Sequence, residues 1–525
     1  MKTTISRPRV AASGRKISPA QNGHGNGESS ASRAGLKINP RLVEWLKKPK
    51  QNLIDGKWTP AASGKLFDVF NPADASVIAR APDSDKEDIN RAVAAARRAF
   101  ESGPWRAMTT SERGKLIWRI GDLILQNADE LAELESLDNG KPRAVARVAD
   151  IPLAADLFHY MAGWATKIEG NTIPISVPNF HAFTLREPVG VIGQIIPWNF
   201  PLLMAAWKLG PALTAGNCVV LKPAEQTPLS ALRLGELLLE AGVPGGVVNI
   251  VTGFGETAGA ALAAHDDVDK IAFTGSTEVG KIIVRASAGN LKKVSLELGG
   301  KSPNIIFKDV GDLNAAINGA ANAIFFNHGQ CCCAGSRLMI EREIFDDVVE
   351  GVATQARKIK LGPGLDATTQ MGPLVSEEQL SRVSNYLHQG KQEGACYVTG
   401  GKRAGESGYF VQPTVIKDVK PGMSIVREEI FGPVVVAEPF TKVEELIPRA
   451  NQTQYGLAAG VWTRDISKAH RIAAALKAGT VWINCYNVFD SALPFGGYKQ
   501  SGWGREMGHE VLEHYTQTKA VVVGL

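Results

Sequence analysis

The chain has 525 residues, too many for one ordinary hydrophobic core, so two or three structural units are expected. Hydrophobic residues make up 44% and charged residues 21% of the sequence, which is the balance of a globular protein and excludes a wholly disordered chain. The 58 Lys and Arg residues exceed the 53 Asp and Glu residues by only five, and no apolar run approaches the roughly 18 residues of a membrane span, so neither nucleic acid nor a membrane is expected as a partner.

Residues 1–50 are predicted to form a flexible N-terminal extension. The first part is rich in Ser, Ala, Gly, Asn and Arg, and its first acidic residue is Glu28, a composition typical of flexible tails. It lacks the apolar centre of a secretory signal. The acid-poor start overlaps with mitochondrial transit peptides, but it shows no amphipathic stripe. A cytoplasmic location is therefore preferred, with the mitochondrial matrix as the alternative.

The next segment predicts a short strand pair and two helices. Order is expected to begin near Asn52, where "NLIDGKW" indicates a strand and a turn. The residues after Ser84 predict a helix whose apolar face contains Ile89, Val93, Ala96 and Phe100. Thr109 and Glu112 have the spacing of a capping box, and the helix they open is expected to close near Asn139.

From Val189 onward, short apolar runs alternate with helical stretches. The runs are "VGVIGQIIP", "CVVLKP", "VVNIVTG", "KIAFTG" and "KVSLEL". Buried strands separated by helices are typical of a doubly wound, parallel α/β sheet. A second α/β series follows Ser302 and predicts a second α/β domain.

Two glycine motifs in this region are weak indicators of nucleotide binding. "GSTEVGKI" nearly matches a phosphate loop, but Ile282 stands where a hydroxyl should hold magnesium. "GFGETA", which contains Gly255, fits only the loose dinucleotide fingerprint. The loop before Ser276 enters a helix, whose N–H groups suit a pyrophosphate, although a plain helix cap explains it equally well.

Lys222 and Glu225 follow a strand, where an acid would accept hydrogen bonds from a ribose diol and repel a 2′-phosphate. A solvated charge is the ordinary alternative for Glu225.

The segment "FNHGQCCCAGSR" contains three of the six cysteines, Cys331, Cys332 and Cys333. Neighbouring cysteines rarely form a disulfide, and no spacing indicates a metal site, so free thiols are expected. A cysteine after a polar loop can serve as a nucleophile if its environment favours the thiolate. In general a cysteine is more often a small core residue.

Two other polar residues are candidates for the same chemistry. Glu297 ends an apolar strand in "LELGGKSPN", where a buried carboxylate could act as a general base. Asn199 lies between aromatic residues in "PWNFP", where its amide could donate to an oxyanion. An ion-pair or capping Glu and a turn-forming Asn are the ordinary alternatives.

Taken together and in order, these motifs resemble the aldehyde dehydrogenase superfamily, in particular its tetrameric, retinal- and mitochondrial-type class. The resemblance runs from about Asn52 to the C-terminus and also includes "KPAEQTPL", "EEIFGPV" and "PFGGYKQSGWGRE". It implies NAD(P)-dependent oxidation of an aldehyde to an acid through a thioester, with NAD preferred over NADP. The implied fold is α/β: a Rossmann-like NAD-binding domain (51–168 and 189–299), a catalytic domain (300–505) and a small β oligomerisation element (169–188 and 506–525) of a homotetramer.

The resemblance also implies roles for individual residues. Cys332 would be the nucleophile, Asn199 with the Cys332 backbone N–H the oxyanion hole, and Glu297 the base that activates water. Lys208 and Glu506 match positions that assist a proton relay. The implied cofactor contacts are Ile195, Pro197, Trp198, Lys222, Glu225, Gly255, Gly275, Ser276, Gly299, Glu429 and Phe431. The implied substrate contacts are Phe200, Trp207, Cys331, Cys333, Phe489 and Phe495.

The substrate residues suggest an apolar or aromatic aldehyde, because four of them are aromatic. Asn487 replaces an acid present in some relatives, which disfavours a cationic substrate, and the C-terminal motif is similar to that of bacterial phenylacetaldehyde-type enzymes. His328 departs from the usual Gln and is not expected to be catalytic. Two rival hypotheses are a CoA-acylating semialdehyde dehydrogenase, against which Glu297 argues, and a non-catalytic binding or lens-crystallin-like protein of the same fold.

Overall fold

The computed structural model describes residues 38–525; the expectation for residues 1–37 lies outside the described residues. The helices of this range are α1 (Pro40–Lys47), α2 (Lys86–Ser102), α3 (Pro104–Ala107), α4 (Thr110–Gln126), α5 (Ala128–Asp138), α6 (Arg143–Val145), α7 (Ile151–Trp164), α8 (Pro201–Thr214), α9 (Leu229–Ala241), α10 (Ala260–Ala264), α11 (Thr277–Ala286), α12 (Leu313–Phe325), α13 (Phe345–Lys358), α14 (Glu377–Gln392), α15 (Ser424–Arg427), α16 (Val443–Asn451), α17 (Ile466–Ala475) and α18 (Leu512–Tyr515).

The strands of the same range form four sheets. They are β1 (Asn52–Ile54), β2 (Lys57–Thr59), β3 (Leu66–Asn71), β4 (Ser76–Pro82), β5 (Thr172–Ile173), β6 (Phe180–Pro188), β7 (Val191–Ile195), β8 (Cys218–Lys222), β9 (Val248–Ile250), β10 (Lys270–Thr274), β11 (Lys293–Glu297), β12 (Pro303–Ile306), β13 (Arg337–Glu341), β14 (Cys396–Thr399), β15 (Thr414–Lys417), β16 (Val434–Phe440), β17 (Ala458–Trp462), β18 (Thr480–Ile483), β19 (Gly502–Trp503) and β20 (Thr516–Gly524).

The first sheet has the strand order β19-β11-β10-β7-β8-β9-β1-β2. Its five central strands are parallel, and β19, β1 and β2 pair antiparallel at the two sides. The register sets Ile195 beside Lys222 and Thr274 beside Glu297, so the carboxyl ends of these strands share one edge. Ligands of open α/β sheets bind at that edge.

The second sheet has the order β14-β15-β16-β13-β12-β17-β18, parallel except for β14. It contains the strands predicted after Ser302. The two parallel sheets confirm the predicted α/β fold class. Strand β19 falls within the predicted catalytic domain, 300–505, whose other strands belong to the second sheet. It pairs instead with β11 of the first sheet.

A third, three-stranded sheet has the order β20-β6-β5. Strands β6 and β20 pair over nine positions, from Phe180 opposite Gly524 to Pro188 opposite Thr516. The two segments of the predicted oligomerisation element, 169–188 and 506–525, therefore pair with each other within one chain. Strands β3 and β4 form a separate antiparallel pair.

Two helical predictions need correction. Residues assigned to the flexible extension 1–50 form α1, capped by Asn39; eight residues are too few for a stable isolated helix, and Leu42, fully buried in a small apolar cluster, anchors this one. The helix predicted from Thr109 to Asn139 is divided at Asn127 into α4 and α5. Its capping box is confirmed: the Glu112 backbone N–H donates to Thr109 Oγ1, and the Thr109 N–H donates to the Glu112 carboxylate.

No helix within residues 38–525 combines the length and apolarity needed to cross a membrane.

Candidate active site

A cavity of about 1200 Å³ opens where β7, β10 and β11 of the first sheet end. Most of the residues singled out in the sequence line it: Pro197, Trp198, Asn199, Phe200, Trp207, Gly275, Ser276, Glu297, Gly299, Cys331, Cys332, Cys333, Glu429, Phe431, Phe489 and Phe495. Six others lie outside its lining: Ile195, Lys208, Lys222, Glu225, Gly255 and Glu506.

The three cysteines differ in their access to this cavity. Helix α12 ends at Phe325, and a tight turn leads into the cysteine segment. Cys331 and Cys333 are buried with their Sγ atoms 3.3 Å apart, whereas Cys332 is half-buried. The hydrogen bond with Cys331 is the largest effect that raises the pKa of the Cys332 thiol well above its ordinary value. By burial, the middle cysteine is the most accessible of the three.

Glu297 ends β11 with a buried carboxylate that has no hydrogen-bond partner among the residues described. Gly496 leaves room for this group, because a Cβ there would lie 2.8 Å from Glu297 Oε1. Burial, followed by repulsion from the Glu506 carboxylate, raises the pKa of Glu297 well above 4.5. An unpaired carboxylate of raised pKa in a cavity is suited to accept a proton.

Asn199 lies in the loop between β7 and α8, with only 5% of its surface exposed. Its side-chain Nδ2 donates to the backbone carbonyl of Gln330, at 3.0 Å. The amide has two N–H groups, so one links Asn199 to the cysteine segment and the second can serve a ligand in the cavity.

Lys208 and Glu506 form a buried ion pair behind the cavity, with Nζ and Oε1 2.6 Å apart. They influence Glu297 in opposite directions: Glu506 raises and Lys208 lowers the pKa of its carboxyl. Their contact with the site is electrostatic.

The residues expected to bind a dinucleotide lie along the same sheet edge. Ser276 caps α11, accepting a hydrogen bond from the Val279 N–H. Glu429 accepts from the Gly300 N–H at 2.9 Å, and a Cβ on Gly299 would lie 2.1 Å from its carboxylate. Burial raises the pKa of Glu429 to about 7.

Lys222 and Glu225 form an ion pair with Nζ and Oε2 2.9 Å apart at the end of β8. Phe431 meets Trp198 edge-on, with ring centroids 5.3 Å apart.

Aromatic rings form one wall of the cavity. The Trp207 ring lies 5.5 Å from Phe495 and 6.4 Å from Phe489, and the two phenylalanines are 5.7 Å apart. Phe200 stacks on Phe326, a lining residue that the sequence argument did not single out, at 6.1 Å.

Three polar residues near the site also escaped the sequence argument: Asn139, Lys141 and Asn327. All three donate to the backbone carbonyl of Asn199. "DNGKP" indicated only a helix end, and this polar stretch carries no signal that Asn139 and Lys141 are buried.

His328 is fully buried, and burial lowers its pKa to about 3, so the imidazole is neutral. No group of three or more potential metal-ligating side chains occurs in the part of the chain that the structure covers.

The sequence of this chain is similar to those of known proteins. The aldehyde dehydrogenase family model matches residues 58–521. The mitochondrial aldehyde dehydrogenase of Homo sapiens is 53% identical over 475 residues, which cover 90% of this chain and 92% of the relative. The mitochondrial benzaldehyde dehydrogenase of Antirrhinum majus is 53% identical over 474 residues, 90% of this chain and 88% of that protein.

Solved structures agree with the sequence relatives. The NAD+ complex of the aldehyde dehydrogenase from Bacillus cereus is 55% identical, superposes with a TM-score of 0.92, and covers 93% of this chain and 99% of its own. The family model spans most of the chain, and the resemblance to the aldehyde dehydrogenase superfamily that the motifs indicated is confirmed. The chain belongs to the aldehyde dehydrogenase family.

Proposed function

We propose that this enzyme oxidises an aldehyde to a carboxylic acid with NAD as the hydride acceptor, and that Cys332 is the residue acylated in each cycle. One observation carries the assignment of roles: the accessible cysteine, an unpaired buried carboxylate and an amide donor line one cavity. These are the nucleophile, the base and the oxyanion donor that acyl chemistry at an aldehyde carbon requires.

The residues present fit a bound dinucleotide. Gly275 and Gly299 line the cavity beside the capped N-terminus of α11, where N–H groups favour a pyrophosphate. Glu429 presents a carboxylate at the cavity, as a ribose diol requires. When bound, NAD supplies the acceptor for the hydride that leaves the aldehyde carbon.

The first step is attack by Cys332 on the aldehyde carbon. The thiolate is the reacting species, so the rate of acylation rises as the thiol ionises with increasing pH. The carbonyl oxygen then carries a negative charge, which the Asn199 amide and the Cys332 backbone N–H stabilise. Such a donor contributes about 3 kcal/mol to transition-state stability. Collapse of this adduct with loss of hydride leaves a thioester on Cys332.

The second step is hydrolysis of the thioester. Glu297 accepts a proton from the attacking water and so generates the nucleophile inside the cavity. Expulsion of the Cys332 thiolate releases the acid. The buried Lys208–Glu506 pair is proposed to assist the proton relay electrostatically: Glu506 raises and Lys208 lowers the pKa of Glu297, and the pair thereby sets how readily this carboxyl takes up and releases the proton.

Glu225 is proposed to set the preference for NAD over NADP, since its charge would repel a 2′-phosphate. Replacing Glu225 by Gln keeps the shape and removes the charge. We expect the ratio of kcat/KM with NAD to that with NADP to fall about tenfold, equivalent to about 1.4 kcal/mol.

The matched control is Glu240→Gln, which removes an exposed carboxylate from the end of α9 and should leave the ratio unchanged. Steady-state rates at varied cofactor concentration measure both. An unaltered ratio in the Glu225 variant would exclude this residue as the determinant.

The aromatic wall leads us to propose an apolar aryl or medium-chain aldehyde as the substrate class. Trp207, Phe489 and Phe495 provide ring surface, and Asn487 brings no charge to the lining. The benzaldehyde dehydrogenase relative acts on an aldehyde of this class. We expect kcat/KM for phenylacetaldehyde and a medium-chain aliphatic aldehyde to exceed that for a quaternary-ammonium aldehyde, measured by NADH absorbance.

The same assay separates the rival hypotheses. A rate that depends on added CoA, with acyl-CoA as product, would establish the CoA-acylating alternative. Absence of NADH across the whole panel would favour a binding protein that retains the fold. A preference for the cationic aldehyde would contradict the proposed substrate class alone.

We further propose a division into an NAD-binding domain (51–168 and 189–299), a catalytic domain (300–505) and an oligomerisation element (169–188 and 506–525). Exposed apolar residues on the β6–β20 pair, among them Phe180 and Val522, support association into a homotetramer. Light scattering on the purified protein would test the assembly, and a mass of one chain would refute it.

We also propose a cytoplasmic location for the enzyme. Recovery of the protein in a mitochondrial fraction would favour the mitochondrial matrix instead.

A further inference from the structure

The backbone carbonyl of Asn199 accepts hydrogen bonds from an unusually large set of side chains. Asn327 Nδ2 lies 2.9 Å from it, Lys141 Nζ 3.3 Å and Asn139 Nδ2 3.5 Å. All three donors are buried. A carbonyl oxygen has two lone pairs, which the shorter contacts from Asn327 and Lys141 occupy. The shorter hydrogen bond of Asn139 Nδ2, at 2.8 Å, is to the neighbouring carbonyl of Trp198, so three buried side chains hold the loop that presents the Asn199 side chain.

Asn327 differs from the other two donors because it joins two loops. Its Nδ2 donates to the carbonyl of Asn199 and also, at 3.1 Å, to the carbonyl of Gln330. Gln330 is the same acceptor that the Asn199 amide uses, at 3.0 Å. These three hydrogen bonds form a closed link between the loop after β7 and the segment that leads to Cys332.

The orientation of the Asn327 amide follows from its surroundings. The two acceptors are carbonyl oxygens, so the nitrogen must face them, because an oxygen in that place would repel both. The oxygen of the same amide has no such interaction: Asn327 Oδ1 is buried without a hydrogen-bond partner among residues 38–525. The hydrogen bonds of this side chain are therefore all donated to the two carbonyls.

The backbone at this point is also specialised. Asn327, His328 and Gly329 have φ of 48°, 60° and 68°, three consecutive residues in the left-handed region. Asn tolerates this region better than other residues with a side chain, and such strain persists only where surrounding structure supports it. Asparagine therefore meets both requirements at this position: it tolerates the left-handed backbone, and its side-chain NH₂ group can donate two hydrogen bonds.

We propose that Asn327 is a positioning residue that holds the Asn199 amide at a set place relative to Cys332. This inference rests on the proposed role of Asn199 as an oxyanion donor. Oxyanion stabilisation depends on the donor being within hydrogen-bond distance of the developing charge, and a displacement of about 1 Å costs on the order of a hundredfold in rate. Loss of the link should slow thiohemiacetal formation and collapse while leaving cofactor binding intact.

The test is a double-mutant cycle between Asn327→Gly and Asn199→Ala. Glycine suits the left-handed backbone and removes the side chain that forms the link, so the variant is expected to fold, which thermal melting checks. The measured quantity is the rate of the first-turnover NADH burst. We expect Asn327→Gly to slow the burst about tenfold to a hundredfold with little change in KM for NAD. The double variant should be no slower than Asn199→Ala, because Asn327 acts through Asn199.

A second variant keeps the shape of the side chain. Asn327→Asp places a carboxyl between the two carbonyls, and only its protonated form can donate a hydrogen bond. Its burst rate relative to that of the unaltered enzyme should rise as the pH is lowered. Because a buried carboxylate also destabilises the fold when it is charged, thermal melting is recorded at each pH, and the burst rate is compared only where both proteins are fully folded.

The inference is overturned if Asn327→Gly retains the full burst rate, or if the two losses multiply in the double variant. It is also overturned if Asn327→Asp shows no deficit, or a deficit that grows at lower pH. Failure of the underlying mechanism gives a different result, since Asn199→Ala alone would then leave the burst rate unchanged.

Discussion

Cys332→Ala is expected to abolish turnover, with a loss of more than about 10⁵-fold in kcat, because the other two cysteines that line the cavity, Cys331 and Cys333, are buried. Cys332 is the most exposed of its three-cysteine segment, and its removal leaves no accessible thiol for the aldehyde carbon. The residues proposed to bind NAD are untouched, so the dissociation constant for NAD should be close to that of the unaltered enzyme. NADH absorbance measures turnover, and titration calorimetry measures binding.

The neighbouring cysteines provide matched controls. Cys331→Ala and Cys333→Ala remove the same atoms from buried positions beside the nucleophile and should retain turnover. Mass spectrometry of enzyme quenched during the reaction should find the acyl group on Cys332. An adduct on either neighbour, or substantial activity in Cys332→Ala, would refute the assignment of the nucleophile.

Glu297→Gln is expected to preserve the initial NADH burst but to lower steady-state turnover by about 10²- to 10⁴-fold, the usual contribution of a general base. Glutamine fills the same space and cannot accept the proton of water. Acylation does not need this proton transfer, so the first turnover proceeds and the thioester accumulates. Stopped-flow absorbance resolves the burst from the steady state.

Two further observations sharpen this prediction. Hydroxylamine attacks a thioester without a general base, so adding it should restore cycling in Glu297→Gln. In the unaltered enzyme the base works only when deprotonated, and burial raises the pKa of Glu297 well above 4.5. Deacylation should therefore accelerate as pH rises through a range above that of an exposed glutamate, and the variant should lack this dependence. Unchanged steady-state turnover in the variant would exclude Glu297 as the base.

The hydrogen bonds of Asn327 connect the two loops that carry Asn199 and Cys332. The cysteine segment and the loop of Asn199 are connected by hydrogen bonds from buried side chains. Substitutions in either loop therefore change the position of donors in the other. We expect catalytic losses to be additive only for residues outside this link, such as Glu225.

Local sequence patterns predicted much of the fold. The strands β7, β8 and β10 coincide with apolar runs that were identified in the sequence, because buried parallel strands depend on nearby residues. The capping box at Thr109 formed as its spacing indicated. Helix α1 was not predictable in the same way, since an eight-residue helix is stabilised by packing rather than by its own sequence.

For the candidate active site as well, some residues could be identified from the sequence and others only from the structure. The sequence identified the cysteine segment, Glu297 and Asn199 by composition and by resemblance, but the residues themselves did not distinguish among three adjacent thiols. Their different burial does. Likewise, nothing local relates Lys141 or Asn139 to a carbonyl roughly sixty residues away. Hydrogen bonds between distant side chains and a loop carbonyl depend on how separate elements pack, and only the tertiary structure brings those atoms within reach of one another.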